Sequence, residues 1–253
     1  MSTRANAIPV VEMKNIVKRF GNITALKGVD FRVDRAQVMA LVGDNGAGKS
    51  TLIKILTGIY PPNSGEIYLD GKLVQINSPR DARTLGIETC YQDLALVNLM
   101  SISRNFFLGR ELTRKIGPMD WLKMGEMNAL TRTALADVGI QIRSSVDKVG
   151  TLSGGERQSV AIGRAVHFGA KLLILDEPTS ALSVAETRKV LTYIENAKAH
   201  GLPVIFITHN VHQVYMVADA YTILRRGEKV GTYHRGELSE NDIADLITGT
   251  RER

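Results

Sequence analysis

The chain of 253 residues has a single cysteine, Cys90, and a single tryptophan. One cysteine excludes a disulfide within the chain and any cluster of cysteine metal ligands. Cys90 lies in an apolar stretch before Tyr91 and reads as an inert buried thiol. Aromatic residues make up only 6% of the chain, yet 44% of it is hydrophobic, enough for a real core. Low hydrophobicity with high net charge, the signature of disorder, is missing. There is also no long apolar run. The longest stretch free of Lys, Arg, Asp and Glu, Ala199 to Ala218, holds three histidines, an Asn, a Gln, a Gly and a Pro. A membrane span needs about 20 predominantly apolar residues, so this stretch reads as a buried strand with its flanks. Met1 to Ala7 is polar and lacks the apolar centre of a signal peptide. No basic block stands out. The 32 basic and 26 acidic residues leave a net charge of +6, which reads first as a solvated surface and more sharply as an attraction to ATP, lipid headgroups or nucleic acid. Internal repeats and low-complexity linkers are missing too.

What is present is a patterned α/β sequence. Val11 to Phe20 and Ala25 to Val33 read as short strands, and Glu66 to Ile76 as a hairpin turning at Asp70-Gly71. Together they predict a small antiparallel layer. Val38 to Val42, Leu172 to Leu175 and Val204 to Ile207 are uninterrupted apolar runs, as in parallel strands covered on both faces. Helix-like stretches, Ser50 to Thr57 and Ala185 to Ala199, alternate with them, which argues α/β. Asn98 to Gly150 breaks the alternation, carries four of the eight methionines and reads as an inserted helical subdomain. Near the end, Tyr221 to Leu224 and Lys229 to Tyr233 flank Arg226-Gly227-Glu228 as another hairpin. Ser239 to Ile247 reads as a capped helix.

Three strings carry chemistry. Gly43-Asp44-Asn45-Gly46-Ala47-Gly48-Lys49-Ser50, followed by Thr51, fits G-x-x-x-x-G-K-[ST] between a strand and a helix. Its glycines let backbone N–H groups converge on a phosphate, and the helix adds its positive end. Lys49 would reach the β- and γ-phosphates and the Ser50 hydroxyl would ligate Mg²⁺. About a hundred residues later comes Leu152-Ser153-Gly154-Gly155-Glu156-Arg157-Gln158, a small-residue loop at a helix start. Ser153 there offers a hydroxyl, and Gly154 and Gly155 allow close approach to phosphate; an ordinary helix cap is the plainer reading. Third, Leu172 to Leu175 ends in Asp176 and Glu177. Asp176 suits Mg²⁺ and Glu177 suits the general base for an attacking water.

These strings in this order resemble the ATP-binding cassette family, the ATPase subunits that power membrane transporters, from about Val11 to about Gly249. The resemblance implies a P-loop NTPase core of RecA-like type with an antiparallel β subdomain and an inserted helical subdomain near 98–150, within a single ATPase domain over residues 1–253. It implies ATP and Mg²⁺ as cofactors, and nucleotide sandwiched between the glycine loop of one chain and the Ser153 loop of a second, most simply an identical one. Gln92 matches the family's glutamine loop, which touches Mg²⁺ and water. His209 matches the switch histidine, which contacts the γ-phosphate. The remaining histidines, His167, His200, His212 and His234, read as structural. Phe20 stands where the family often has an aromatic stacking on adenine, or else belongs to the core. The family usually has Asp where this chain has Ser183, a residue able to cap the next helix.

Tyr91 to Val97, Phe107-Leu108-Gly109-Arg110-Glu111 and Ser180-Ala181-Leu182-Ser183 resemble the monosaccharide-importer branch, of ribose and fructose type. That implies an ATP hydrolase coupled to sugar import, peripheral on the cytoplasmic face of the cell membrane. Its partners would be transmembrane permease subunits and, indirectly, a sugar-binding protein, with no nucleic acid. An exporter subunit and a soluble cassette acting on ribosomes or DNA are the alternatives. Asn98 to Arg110, with Leu99, Met100, Ile102, Phe106 and Phe107, is the candidate docking segment for the permease, or the core of its own subdomain.

Overall fold

The computed structural model describes residues 8–91, 94 and 96–250. In chain order these form β1 (Val11–Phe20), β2 (Ile23–Val33), β3 (Val38–Val42), α1 (Lys49–Leu56), β4 (Ser64–Leu69), β5 (Lys72–Val74), α2 (Pro79–Thr84), β6 (Ile87–Cys90) and α3 (Ile102–Phe106). There follow β7 (Thr113–Ile116), β8 (Met119–Leu122), α4 (Met124–Asp137), α5 (Gly154–His167), β9 (Leu172–Asp176) and α6 (Val184–Ala199). The chain closes with β10 (Val204–Ile207), α7 (Val211–Val217), β11 (Ala220–Arg225), β12 (Glu228–His234) and α8 (Glu240–Thr248).

The apolar runs become the middle of a six-stranded sheet, ordered β12-β11-β3-β10-β9-β6. All its pairs are parallel except that of β12 with β11. Residues at β3, β9 and β10 are buried on both faces, because alternate side chains feed two separate cores. Met39, Leu41, Ile174 and Ile205 point to a core shared with α1 and the antiparallel sheet β2-β1-β4-β5. Ala40, Leu175, Val204 and Phe206 point to a core shared with α6, α7 and α8. This two-sided burial explains the lack of polar alternation in the sequence.

Register places the site. Leu41, Ile207 and Asp176 stand side by side across three strands, and Cys90 of β6 pairs with Leu175 one residue earlier. The chain segments beginning at Gly43, Glu177, Thr208 and Tyr91 therefore leave the sheet along one edge, its carboxyl edge, where ligands of open parallel sheets bind. Gln92 itself lies outside the described residues.

The antiparallel layer matches the sequence reading, with Asp70 (φ 49°) and Gly71 (φ 75°) forming the left-handed two-residue turn of the β4–β5 hairpin. The β11–β12 hairpin turns on Arg226-Gly227, so Glu228 belongs to the strand.

The insert departs from expectation in one way. Between α3 and α4 it contains a hairpin, β7–β8, all eight of whose strand residues are exposed. Of the two readings for Ile102, Phe106 and Phe107, the structure bears out the core of the subdomain itself. They are at most 1% exposed, packed with Met127, Leu135, Val149 and Val160 in a third core. Arg164 holds this core's edge by donating to the Asn105 and Leu108 carbonyls at 3.5 and 2.9 Å. Of the expected docking residues, Leu99 is freely exposed, at 80%, and Met100 is half-buried. Cys90 is a buried free thiol, pushed up to about 12 by burial and the nearby Glu88 carboxylate.

Candidate functional site

The glycine loop joins β3 to α1. Gly43 has φ 149°, and a Cβ there would come within 2.2 Å of the Leu224 carbonyl, so this position admits only glycine. Gly48 (φ 106°) is equally confined, against Leu26 and the Ala25 carbonyl. Gly46 (φ 80°) has nothing within 4 Å of its missing Cβ and faces open space. The loop is tied from behind, where Gly227 donates its N–H to the Ala47 carbonyl at 3.0 Å. At its front no side chain caps α1, leaving its first N–H groups available to an anion.

Lys49, the first residue of α1, is buried and folds back into the loop. Its Nζ donates to the carbonyls of Gly43 at 2.6 Å and Asp44 at 3.0 Å. Burial lowers its pKa, and the carboxylates of Glu177, Asp44 and Asp176 oppose that. An ammonium held by carbonyls at the mouth of a cradle of N–H groups has the charge and placement to take a phosphate. Ser50 is exposed beside it and Thr51 is half-buried.

Opposite stand the carboxylates. Asp176 ends β9, and burial raises its pKa, with Glu177 adding repulsion and Lys49 and Lys54 opposing. Glu177 has φ 49°, left-handed backbone in a residue other than glycine, the kind of strain that collects at functional sites. Its Oε1 accepts the His209 N–H at 3.1 Å and lies 2.9 Å from His209 Nδ1. Its Oε2 is buried with no hydrogen-bond partner among the described residues. His209 thus meets Glu177 through Nδ1, and its ring is otherwise exposed. Beneath this pair, Thr179 donates to Gln213 Oε1 at 2.6 Å, an anchoring network in buried residues that sequence reasoning missed.

The Ser153 loop heads α5. Ser153 Oγ accepts the Glu156 N–H at 3.3 Å and Glu156 Oε2 accepts the Ser153 N–H at 2.8 Å, a full capping box. The plainer reading of Ser153 as a helix cap is therefore correct for this state. Ser183 does the same for α6 with Glu186. Residues from both loops, Gly154, Gln158, Glu177, Ser180 and Leu182 among them, line one shared cleft of about 340 Å³.

Phe20 ends β1, 41% exposed, edge-on to Tyr60 at 5.2 Å. It is not a core residue, and Lys18 Nζ lies 5.2 Å from its ring. The other four histidines have structural surroundings or none of note: His167 stacks among Phe106, Phe107 and Phe168, His200 meets the Asn196 carbonyl, and His212 meets Glu240.

A strand, a confined glycine loop, an inward lysine at a helix start and a carboxylate pair on the next strand but one define a P-loop nucleotide triphosphatase. Residues 26–180 match the family model described as ABC transporter, and the chain belongs to that family. It is 46% identical to the xylose/arabinose import ATP-binding protein of Sulfolobus acidocaldarius, the match covering 94% of each. It is 43% identical to the fructose import ATP-binding protein of Rhizobium meliloti, over 96% of this chain and 95% of that one. Against a ribose import ATP-binding protein of Escherichia coli O157:H7 it is 41% identical but spans only 47% of that protein's length. Among solved structures, a nucleotide-free ATP-binding cassette from an ABC transporter superposes with a TM-score of 0.81 at 25% identity, covering 94% of this chain and 96% of that one. The core and site are thus those of an ATP-hydrolysing cassette of mixed α/β fold.

Proposed function

We propose that this chain is the ATP-hydrolysing subunit of a monosaccharide importer, working as a pair of cassettes that close on ATP and drive a permease. The observation that carries the catalytic part is the Glu177–His209 pair: one carboxylate oxygen is fixed by His209 while the other is buried with no hydrogen-bond partner among the described residues. That unpartnered oxygen suits a general base. It takes a proton from a water whose oxygen attacks the γ-phosphorus of ATP; the bond to the bridging oxygen breaks, giving ADP and phosphate. His209 orients Glu177 through Nδ1 and presents its other nitrogen outward, toward the place of the γ-phosphate. Lys49 leaves the Gly43 and Asp44 carbonyls for the β- and γ-phosphates, while N–H groups of Asp44 to Thr51 hold their oxygens. Phe20, exposed at the end of β1, offers its ring to adenine.

Mg²⁺ fits this donor set. No cluster of three or more acidic, His or Cys groups forms a metal cage among the described residues. One hydroxyl and one carboxylate beside a phosphate cradle are what Mg²⁺ takes when nucleotide supplies the rest. Ser50 and Asp176 would hold it, and Gln92 is assigned to the same shell from its sequence position alone. When bound, the ion would neutralise charge on the phosphates. The raised pKa of Asp176 supports the fit, since a cation relieves that cost.

The sugar-import part rests on the relatives whose names state it, which span sugars of five and six carbons. No helix among the described residues is long and apolar enough to cross a membrane. In this reading the chain acts from the cytoplasmic face through a permease, with a sugar-binding protein beyond it. For docking, the buried Phe106 and Phe107 give way to the open groove of about 240 Å³ between β6, α2 and α5, lined by Arg83, Glu88, Tyr91, Leu94 and Arg164. Phosphate release by the purified chain with Mg-ATP tests the assignment. Glu177→Gln should lower the rate roughly 10²-fold or more while ATP still binds. Turnover at the parent rate would reject Glu177 as the base.

A further inference from the structure

The Ser153 loop is joined to α6 by a carboxylate. Gly155, in the first turn of α5, donates its N–H to Glu186 Oε1 at 3.5 Å. The other oxygen of Glu186 accepts the Ser183 hydroxyl at 2.8 Å and the Ser183 N–H at 3.1 Å. The Ser153 hydroxyl is also within hydrogen-bonding reach, and these donors together hold the Glu186 pKa down at about 2, so it is ionised at any working pH. Glycine makes the approach possible. A Cβ on Gly155 would stand 3.1 Å from Glu186 Cβ, and one on Gly154 2.6 Å from Leu182 Cδ2.

An anion from the same chain therefore already stands at the positive end of α5. Glu156 is a second, on the Ser153 N–H. The neighbouring Arg157 turns its Nε and Nη2 to the Leu152 and Gly150 carbonyls at 3.0 and 3.5 Å and not to these carboxylates. The two attachments of Glu186 also differ. The contact to Ser183 is short and lies within its own helix cap; the contact to Gly155 is long and reaches across to another helix.

We propose that Glu186 is a positioning residue that holds the signature loop in the separate subunit and must cede the Gly155 N–H to the partner's ATP, so that its charge sets the ATP concentration at which two subunits close. This rests on the reading that the Ser153 loop meets ATP across a dimer. Closing brings phosphate charge toward the carboxylate, and like charges in a partly wet interface oppose each other. Glu186 swings away on its Ser183 anchor, and the cost of that exchange is a threshold against closing at low ATP.

The test is light scattering of the full chain carrying Glu177→Gln, titrated with Mg-ATP, with and without Glu186→Gln. Glutamine keeps an acceptor for the Ser183 N–H and removes the charge. Half-maximal dimer should then form at about fivefold less ATP, the scale of one unit-charge contact in a water-like medium, and the gap should shrink in high salt. Glu186→Asp keeps the charge and should show no gain. An unchanged or higher ATP requirement for Glu186→Gln, or an equal gain for Glu186→Asp, would overturn the proposal, since loosened packing alone then accounts for the effect. Ser153→Arg in the same background separates the two layers. If it still dimerises with ATP, the signature does not act across a dimer and the underlying reading fails; if it does not, an unshifted Glu186→Gln removes only the role of Glu186.

Discussion

At the scale of single residues the site is charged before any nucleotide arrives. Asp176 stands next to Glu177, and burial and that neighbour both raise its pKa; Lys49 has its own pKa lowered by burial. A carboxyl with a folded pKa above its unfolded value favours folding most when protonated, and that contribution is lost as pH rises through the folded pKa. Asp176→Asn imitates the protonated form. It should therefore raise Tm near neutral pH, with the advantage vanishing in acid below the unfolded carboxylate range, while ATP turnover falls. Thermal melts across pH and a phosphate-release assay check the two halves. A variant less stable at neutral pH would show that the carboxylate is a net structural support. Single residues were also the most legible scale in the sequence. Gly43, Gly46, Gly48 and Lys49 sit where the motif demands because each has one backbone or electrostatic task. The Nδ1 contact of His209 with Glu177 was not legible, since it depends on two strands meeting at one edge.

At the scale of elements, the parallel strands and the paired helix caps were readable because burial on both faces and S-x-x-E spacing leave direct marks in sequence. The insert is only partly legible, for the opposite reason. β7–β8 has no buried face, so it shows no period of two, and only Gly117-Pro118 marked its turn. Phe106 and Phe107 looked like interface residues because an apolar cluster reads the same whether a partner or the chain itself covers it. The structure separates the cases. Phe107→Ala should destabilise the chain by roughly 3–5 kcal/mol, whereas Leu99→Ala should stay within about 0.5 kcal/mol. Denaturant unfolding measures both, and a Phe107 variant of unchanged stability would contradict its place in the third core.

At the scale of the whole molecule, the Ser153 and Glu177 loops share one cleft in the same chain, yet in the proposed reading Gly43 to Ser50 already take this chain's ATP and a second phosphate-binding helix end is left over. The proposed function gives the Ser153 loop to the ATP of a second subunit. Ser153→Arg should accordingly leave ATP binding by the monomer near its normal affinity and abolish turnover, and equal loss of both, measured by nucleotide binding and phosphate release, would place the loop in its own chain's site. The family and the fold follow from patterns spread over most of the chain. The sugar does not, because none of the residues described here need touch it.

The central claim is that this ATPase drives a sugar permease, and one measurement bears on it directly. Tagged Glu177→Gln chain is recovered with Mg-ATP from detergent-solubilised membranes of its own cells, and the co-purifying proteins are identified by mass spectrometry. A multi-span permease together with a sugar-binding protein is the predicted result. Ribosomal proteins or bound DNA in their place would contradict the transport claim and leave only the ATPase.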